Sequence, residues 1–179
     1  MSGIQQNYLG IEIIAEAGCN HGGDLNVALE MVRVAASSGA DTIKFQSFIP
    51  DKLVNADDVM EWCVKSQLGY EEHSAIIEVC EDEGIAPLFS AFDEESLEMI
   101  ATLGMERVKI PSGQIFNEML VEKAAIHFNE VYASTGMCSF ADVRKAFYTM
   151  EQHIDRSDIV LMQCTTAYPS PPTARPPPP

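Results

Sequence analysis

Apolar and polar positions along this chain follow two alternating periods. Six short apolar runs, in IEIIAEAGCNHGG, DTIKFQSF, APLFSAFD, RVKIPSGQ, EVYASTGM and DIVLMQCTTAYP, each close in glycine or small polar residues. Between them apolar residues recur at helical spacing, as at Leu25, Ala28, Leu29, Val32 and Ala36. Strands alternating with amphipathic helices predict repeated βα units and a parallel sheet. The runs place strands near residues 11–16, 41–47, 86–90, 107–111, 130–134 and 158–164. One helix follows Asp24 and stops at Gly39, a second opens at Asp93-Glu94-Glu95, and a third starts after Ser139 with Asp142 in its first turn. An N-cap acid and first-turn carboxylates suit the helix dipole at the second, as Asp142 does at the third, and Gly39 is a typical left-handed C-cap for the first. From Ile49 to about Tyr70 no clean period appears, and the next helix is predicted from Glu71. So long a connection is either a flap over the active face or a surface excursion.

Alternation within the strands separates packing residues from candidates for chemistry. Ile43 and Phe45 face one way, and Thr42, Lys44 and Gln46 the other. Val108 and Ile110 likewise oppose Arg107 and Lys109, and Ile11 and Ile13 oppose Glu12, Ile14 and Glu16. Buried charge is costly unless paired or ligand-bound. Two readings follow: an internal Glu–Lys network that satisfies itself, or a pocket for an anion in which Glu16 handles hydroxyls or protons. In parallel α/β barrels the chemistry sits at the C-terminal ends of the strands. Glu16, Lys44, Ser90, Lys109, Ser112, Ser134, Thr165 and Tyr168 all fall there. Ser112-Gly113, Ser134-Thr135-Gly136 and Cys164-Thr165-Thr166 add the small hydroxyls and backbone donors that hold phosphate.

Charge narrows the range of partners. Against 27 acidic residues stand 11 basic ones, a net −16 in 179 residues. Such a surface repels nucleic acid and anionic membranes, and admits an anionic metabolite only where lysines are concentrated. No apolar stretch approaches the ~20 residues of a membrane span. MSGIQQNYLG lacks the features of a secretory signal, so a cytoplasmic location is expected. The five cysteines form no CxxC pair and are odd in number. Packed, reduced thiols are expected rather than a disulfide framework or a metal site.

The ordered stretches AEAGCNHGGDL, GADTIKFQSF, FSAFDEES, KIPSGQ, ASTGM and QCTTAYPSPP, running from Ile11 to Pro172, resemble the sialic acid synthase (N-acetylneuraminate synthase) family. Its members condense phosphoenolpyruvate with an N-acylmannosamine-type sugar to give sialic acid or a related nonulosonic acid. The resemblance implies an α/β fold, a TIM (β/α)8-type barrel, with a divalent metal (Mn or Mg) and a homodimer. It assigns phosphoenolpyruvate contacts to Lys44, Ser90, Lys109, Ser112 and Tyr168, and to Thr166, which stands where the family has asparagine. Glu16 and Gln46 would lie near the sugar and the metal, and with Tyr168 make up the catalytic set. Asn20 and His21 occupy the loop after the first strand, where His21 is equally a loop hydrogen-bonder. His73, His127 and His153 fall in helices and read as surface or packing residues.

Two departures from the family pattern stand out. Gln114 replaces a common glutamate, and an amide cannot transfer a proton as a carboxylate does. The family's two metal-binding histidines belong to strands seven and eight, beyond residue 179, so no metal ligand is assigned to this chain. Its small antifreeze-like domain also has no counterpart here. The expectation is an N-terminal segment (1–10), an incomplete, open barrel of about six βα units (11–170) and a disordered proline-rich tail (171–179). Apolar edge strands predict self-association. The family function is the condensation above, with little metal-dependent turnover expected from this chain. The alternative is a non-catalytic remnant that binds phosphoenolpyruvate or serves as an interaction protein.

Overall fold

The computed structural model describes residues 10–53, 61–167 and 169–171. The chain divides into two compact units, one running to Ser90 and the other beginning at Ala91. The first holds β1 (Ile14–Gly18), α1 (Leu25–Ser37), β2 (Thr42–Ser47), α2 (Pro50–Leu53), α3 (Glu61–Ser66), α4 (Tyr70–Glu83) and β3 (Ala86–Ala91), the last residue of β3 opening the second unit. The second holds α5 (Glu94–Thr102), β4 (Arg107–Ile110), α6 (Glu118–His127), β5 (Glu130–Ser134), α7 (Phe140–Met150) and β6 (Ile159–Met162). Strands lie side by side in chain order within each unit, and the register is parallel for β1–β2, β4–β5 and β5–β6. This is the repeated βα architecture of a TIM-type barrel, with six of its strands among the described residues.

Local chemistry explains where the helices begin and end. The Asp24 carboxylate accepts from the N–H groups of Asn26 at 2.8 Å and Val27 at 3.3 Å, which fixes the start of α1. Asp93 caps α5 by accepting from Ser96 N–H at 2.8 Å. Ser139 and Asp142 cap α7 reciprocally, and the two hydrogen bonds from Ser139 hold the Asp142 carboxyl below its usual value. Gly84 ends α4 in the left-handed conformation at φ 69°.

In the first unit Ile43, Phe45, Leu88 and Phe89 pack with Val32, Ile76 and Cys80. Burial pushes the Cys80 thiol up to about 12. The second unit buries Val108, Ile110 and Val131 with Leu97, Ile100, Leu120 and Met150. Ile43, Phe45 and Phe89, with Val108, Ile110 and Val131, lie on the sheet face opposite the candidates for chemistry, while Leu88 shares the face of Ser90. All five cysteines are free, as expected.

Three expectations need correction. First, β1 begins at Ile14 rather than residue 11, and Ile11 and Ile13 are 55% and 51% exposed. The Asp41 carboxylate accepts from Ile13 N–H at 2.7 Å while the Ile13 carbonyl takes the N–H groups of Asp41 and Thr42. A side chain thus stands in for the strand ladder just before β1. Second, Glu12 is exposed rather than interior, its Oε1 accepting from Thr42 Oγ1 at 2.5 Å. Third, among the described residues the stretch from Ile49 to Tyr70 holds the helices α2 and α3, and α4 starts at Tyr70. Asp51 and Glu61 in their first turns, and Lys52 and Lys65 in their last, suit the dipole. Residues 54–60, nearly all of the N-terminal segment and the tail from 172 lie outside the described residues.

Candidate functional site

At the C-terminal ends of β1 and β2 the register sets Glu16 directly opposite Lys44. Lys44 is 6% exposed. Its ammonium is ion-paired with the Glu16 carboxylate and donates to Ser90 Oγ on β3 at 3.3 Å. Glu16 keeps 53% of its side chain in contact with solvent, so the buried cation has one partner that water reaches. A desolvated ammonium attracts an anion far more strongly than a surface lysine does.

Just past the pair the ladder is irregular between Glu16 and Gly18, and Gly18 takes φ 55°. A Cβ there would lie 3.3 Å from Glu16 Oε1 and 3.7 Å from Gln46 Nε2. The Cys19 thiol donates to Gln46 Oε1 at 3.1 Å. Burial, reinforced by neighbouring Cys63 and Glu16, pushes that thiol up to about 11, so it stays a protonated donor at neutral pH.

The loop that follows is a tight knot. His21 is 3% exposed, its Nδ1 accepts from Gly23 N–H at 3.0 Å, and its ring lies 6.0 Å from that of Phe45. Burial holds this imidazole below its usual value. Of the two roles left open for His21, loop hydrogen bonding is the one these contacts support. Gly23 (φ 81°) backs onto α3 so closely that a Cβ would lie 1.8 Å from the Lys65 carbonyl oxygen. Asn20 is exposed within this loop.

The second unit gathers neutral groups at its strand ends. Ser112 opens a 3-10 turn after β4, and its Oγ accepts from Gly136 N–H at 3.0 Å. A Cβ on Gly136 would lie 2.8 Å from Thr166 Oγ1, 2.9 Å from Ser112 Oγ and 3.3 Å from Cys164 Cβ. Thr135 ties β5 to β6 by donating N–H and Oγ1–H to the Met162 carbonyl at 3.0 and 3.1 Å. Lys109 is half-buried on β4, in register with Tyr132. Gln114, at the family's glutamate position, accepts from Asn117 Nδ2 at 3.3 Å, and Asn117 in turn caps α6. That amide supports a helix terminus. Tyr168 lies outside the described residues.

Among the described residues no three or more histidine, cysteine, aspartate or glutamate side chains converge to hold a metal ion. The donor sets on the page therefore do not fit a resident divalent cation. His127 is exposed as expected, and His153 is a surface residue too, its Nε2 3.5 Å from Glu122 Oε1, but it lies in the turn after α7 rather than in a helix. His73 is a packing residue too, yet it makes two specific hydrogen bonds that sequence reasoning missed. Its place on the buried α4 face with Ile76 and Cys80 was the available signal.

Comparisons with known proteins agree with this arrangement. The NeuB family model matches residues 31–175. The chain is 37% identical to an N,N'-diacetyllegionaminic acid synthase of Legionella pneumophila over 88% of its own length and 49% of that protein's. It is 32% identical to an N-acetylneuraminate-9-phosphate synthase of Drosophila melanogaster, covering 90% of this chain and 47% of the other. In structure it is similar to an N-acetylneuraminic acid synthetase from Leptospira borgpetersenii solved with citrate. There the TM-score is 0.85 at 31% identity, over 90% of this chain and 57% of that one. The chain spans about half the length of the curated relatives it matches.

Proposed function

The chain belongs to the NeuB family, and from that premise we propose that it serves the condensation of phosphoenolpyruvate with an N-acylmannosamine-type sugar, giving sialic acid or a related nonulosonic acid. The observation that carries this reading is Lys44, a buried ammonium at a strand end held by Glu16 and Ser90. Phosphoenolpyruvate carries a carboxylate and a phosphate, and in a chain of net charge −16 it needs such a local cation. Lys44 and Ser90 supply charge and a hydroxyl donor in the first unit. In the second, Lys109 supplies charge and Ser112 and Thr166 supply hydroxyls, as the family resemblance assigns them, together with Tyr168. Glu16, half in solvent, and Gln46, its amide oriented by Cys19, suit the hydroxyls of a sugar.

In the reaction, C3 of phosphoenolpyruvate bonds to the sugar aldehyde carbon, water adds at C2, and phosphate leaves with cleavage of its C–O bond. Hydroxyl and ammonium donors stabilise the charge that grows on the departing phosphate. The family's divalent metal has no cradle among the described residues, and no step is assigned to it. Among the described residues no helix is long and apolar enough to cross a membrane. Small anionic and sugar substrates, rather than nucleic acid or anionic membranes, are the partners that the charge supports.

Thermal unfolding with and without phosphoenolpyruvate tests it. The ligand should raise the midpoint of the wild-type chain and leave that of Lys44→Met unchanged. Equal shifts in both would remove Lys44 from the contact set. Incubation with N-acetylmannosamine, its 6-phosphate and a diacetamido sugar, read by phosphate release, separates turnover from binding and ranks the sugars.

A further inference from the structure

His73 lies on the first turn of α4 and is 0% exposed. Its Nδ1 is 2.7 Å from the Gly69 carbonyl oxygen, which can only accept, so Nδ1 carries the proton. Nε2 is then an acceptor, and it takes the hydroxyl proton of Ser47 at 2.7 Å. Burial holds the imidazole below its usual value, which suits this neutral tautomer. The same ring packs on Phe89, centroid to centroid 4.7 Å.

These contacts fall on two strands at once. Ser47 is the last residue of β2, three beyond Lys44, and Phe89 on β3 immediately precedes Ser90. By strand alternation Ser47 and Phe89 face α4, while Lys44 and Ser90 face the other way and meet there at 3.3 Å. Phe45 and Phe89, whose centroids are 6.3 Å apart, complete the layer behind them.

We propose that His73 is a positioning residue, a clamp behind β2 and β3 that fixes the spacing between Lys44 and Ser90 and so shapes the anion site. The proposal rests on Lys44 being the phosphoenolpyruvate contact. The ring sets the position of one strand by a directional hydrogen bond and of the other by aromatic packing. A phenylalanine at 73 keeps the volume and the packing on Phe89 but releases Ser47 and Gly69. The end of β2 is then held to β3 by the strand ladder alone, without the tie through α4.

The test compares wild type, His73→Phe, Ser47→Ala and Cys80→Ala, the last a buried change on the same helix that touches neither hydrogen bond. Each full chain is titrated with phosphoenolpyruvate well below its unfolding midpoint. The Lys44 Cε resonance, assigned through Lys44→Met, is followed in the ligand-free protein. His73→Phe and Ser47→Ala should weaken binding roughly tenfold and move the Lys44 resonance, whereas Cys80→Ala lowers the midpoint and changes neither. An unmoved Lys44 resonance in both clamp variants overturns the proposal, as does a moved resonance with unchanged affinity. If the wild type binds no phosphoenolpyruvate, the functional reading fails, and the Lys44 resonance alone decides on the clamp.

Discussion

At the ends of β1 and β2 the first unit gathers charge, with a buried ammonium, a half-solvated carboxylate and a hydroxyl held within hydrogen-bonding reach. At the ends of β4, β5 and β6 the second unit gathers hydroxyls and a backbone N–H around a glycine that has no room for a methyl group. One arrangement depends on electrostatics and the other on space. The same βα topology therefore makes sites whose sensitivities differ: charge substitutions should break the first, and added volume the second.

The largest expected effect comes from added volume. Gly136→Ala forces a Cβ within 3 Å of Thr166 Oγ1 and Ser112 Oγ, and overpacking of this kind costs about 1–3 kcal/mol. Urea unfolding should show that loss with an unchanged m-value. Ser112→Ala removes one crowding oxygen, and in that background the alanine at 136 should cost less. Additive losses would mean that the crowding does not set the cost.

The next effect is a dependence on pH that belongs to the first unit. Burial lowers the affinities of His73 and His21 for protons below the ordinary 6.5. The unfolded chain thus takes up protons first as pH falls. Their contribution is complete above about 6.5 and is lost as pH drops toward the lower folded values, at up to about 1.4 kcal/mol per pH unit for each proton. The Gly69 hydrogen bond and Glu72 oppose the His73 shift, and His21 adds to it. Unfolding free energy measured between pH 7.5 and 5 should fall, and His73→Phe should flatten the fall. An equal slope in that variant would show that His73 is not a source of it.

A smaller loss is expected at the start of α7, where Ser139→Ala removes the cap and should cost about 1 kcal/mol. Because the Ser139 hydroxyl bonds Asp142 rather than a residue assigned to phosphoenolpyruvate, the affinity should not change. A weakened affinity would show that the terminus of α7 bears on the site.

The fold was legible because β-branched runs and helical spacing are properties of neighbouring residues. Lys44 stood out because a charged group inside an apolar strand needs a partner, and Ser90 and Ser112 because they fall at strand ends. What escaped the sequence depends on tertiary contact. Asp41 replaces the ladder at Ile13, and no local period records such a substitution. The Ser47–His73 bond joins residues 26 apart, with nothing in either neighbourhood to announce the other. Gly136 read as part of a phosphate-holding loop, and only the positions of Thr166 and Ser112 reveal why a side chain cannot stand there.

The central claim is that Lys44, balanced by Glu16, is the cation for an anionic substrate. Calorimetric titration of phosphoenolpyruvate into wild type, Lys44→Met and Glu16→Gln tests it most directly. Removing the cation should weaken binding more than tenfold. Removing the competing carboxylate should leave affinity unchanged or raise it, because a negative neighbour opposes an anion. Retained binding in Lys44→Met, or equal losses in both variants, would contradict the account.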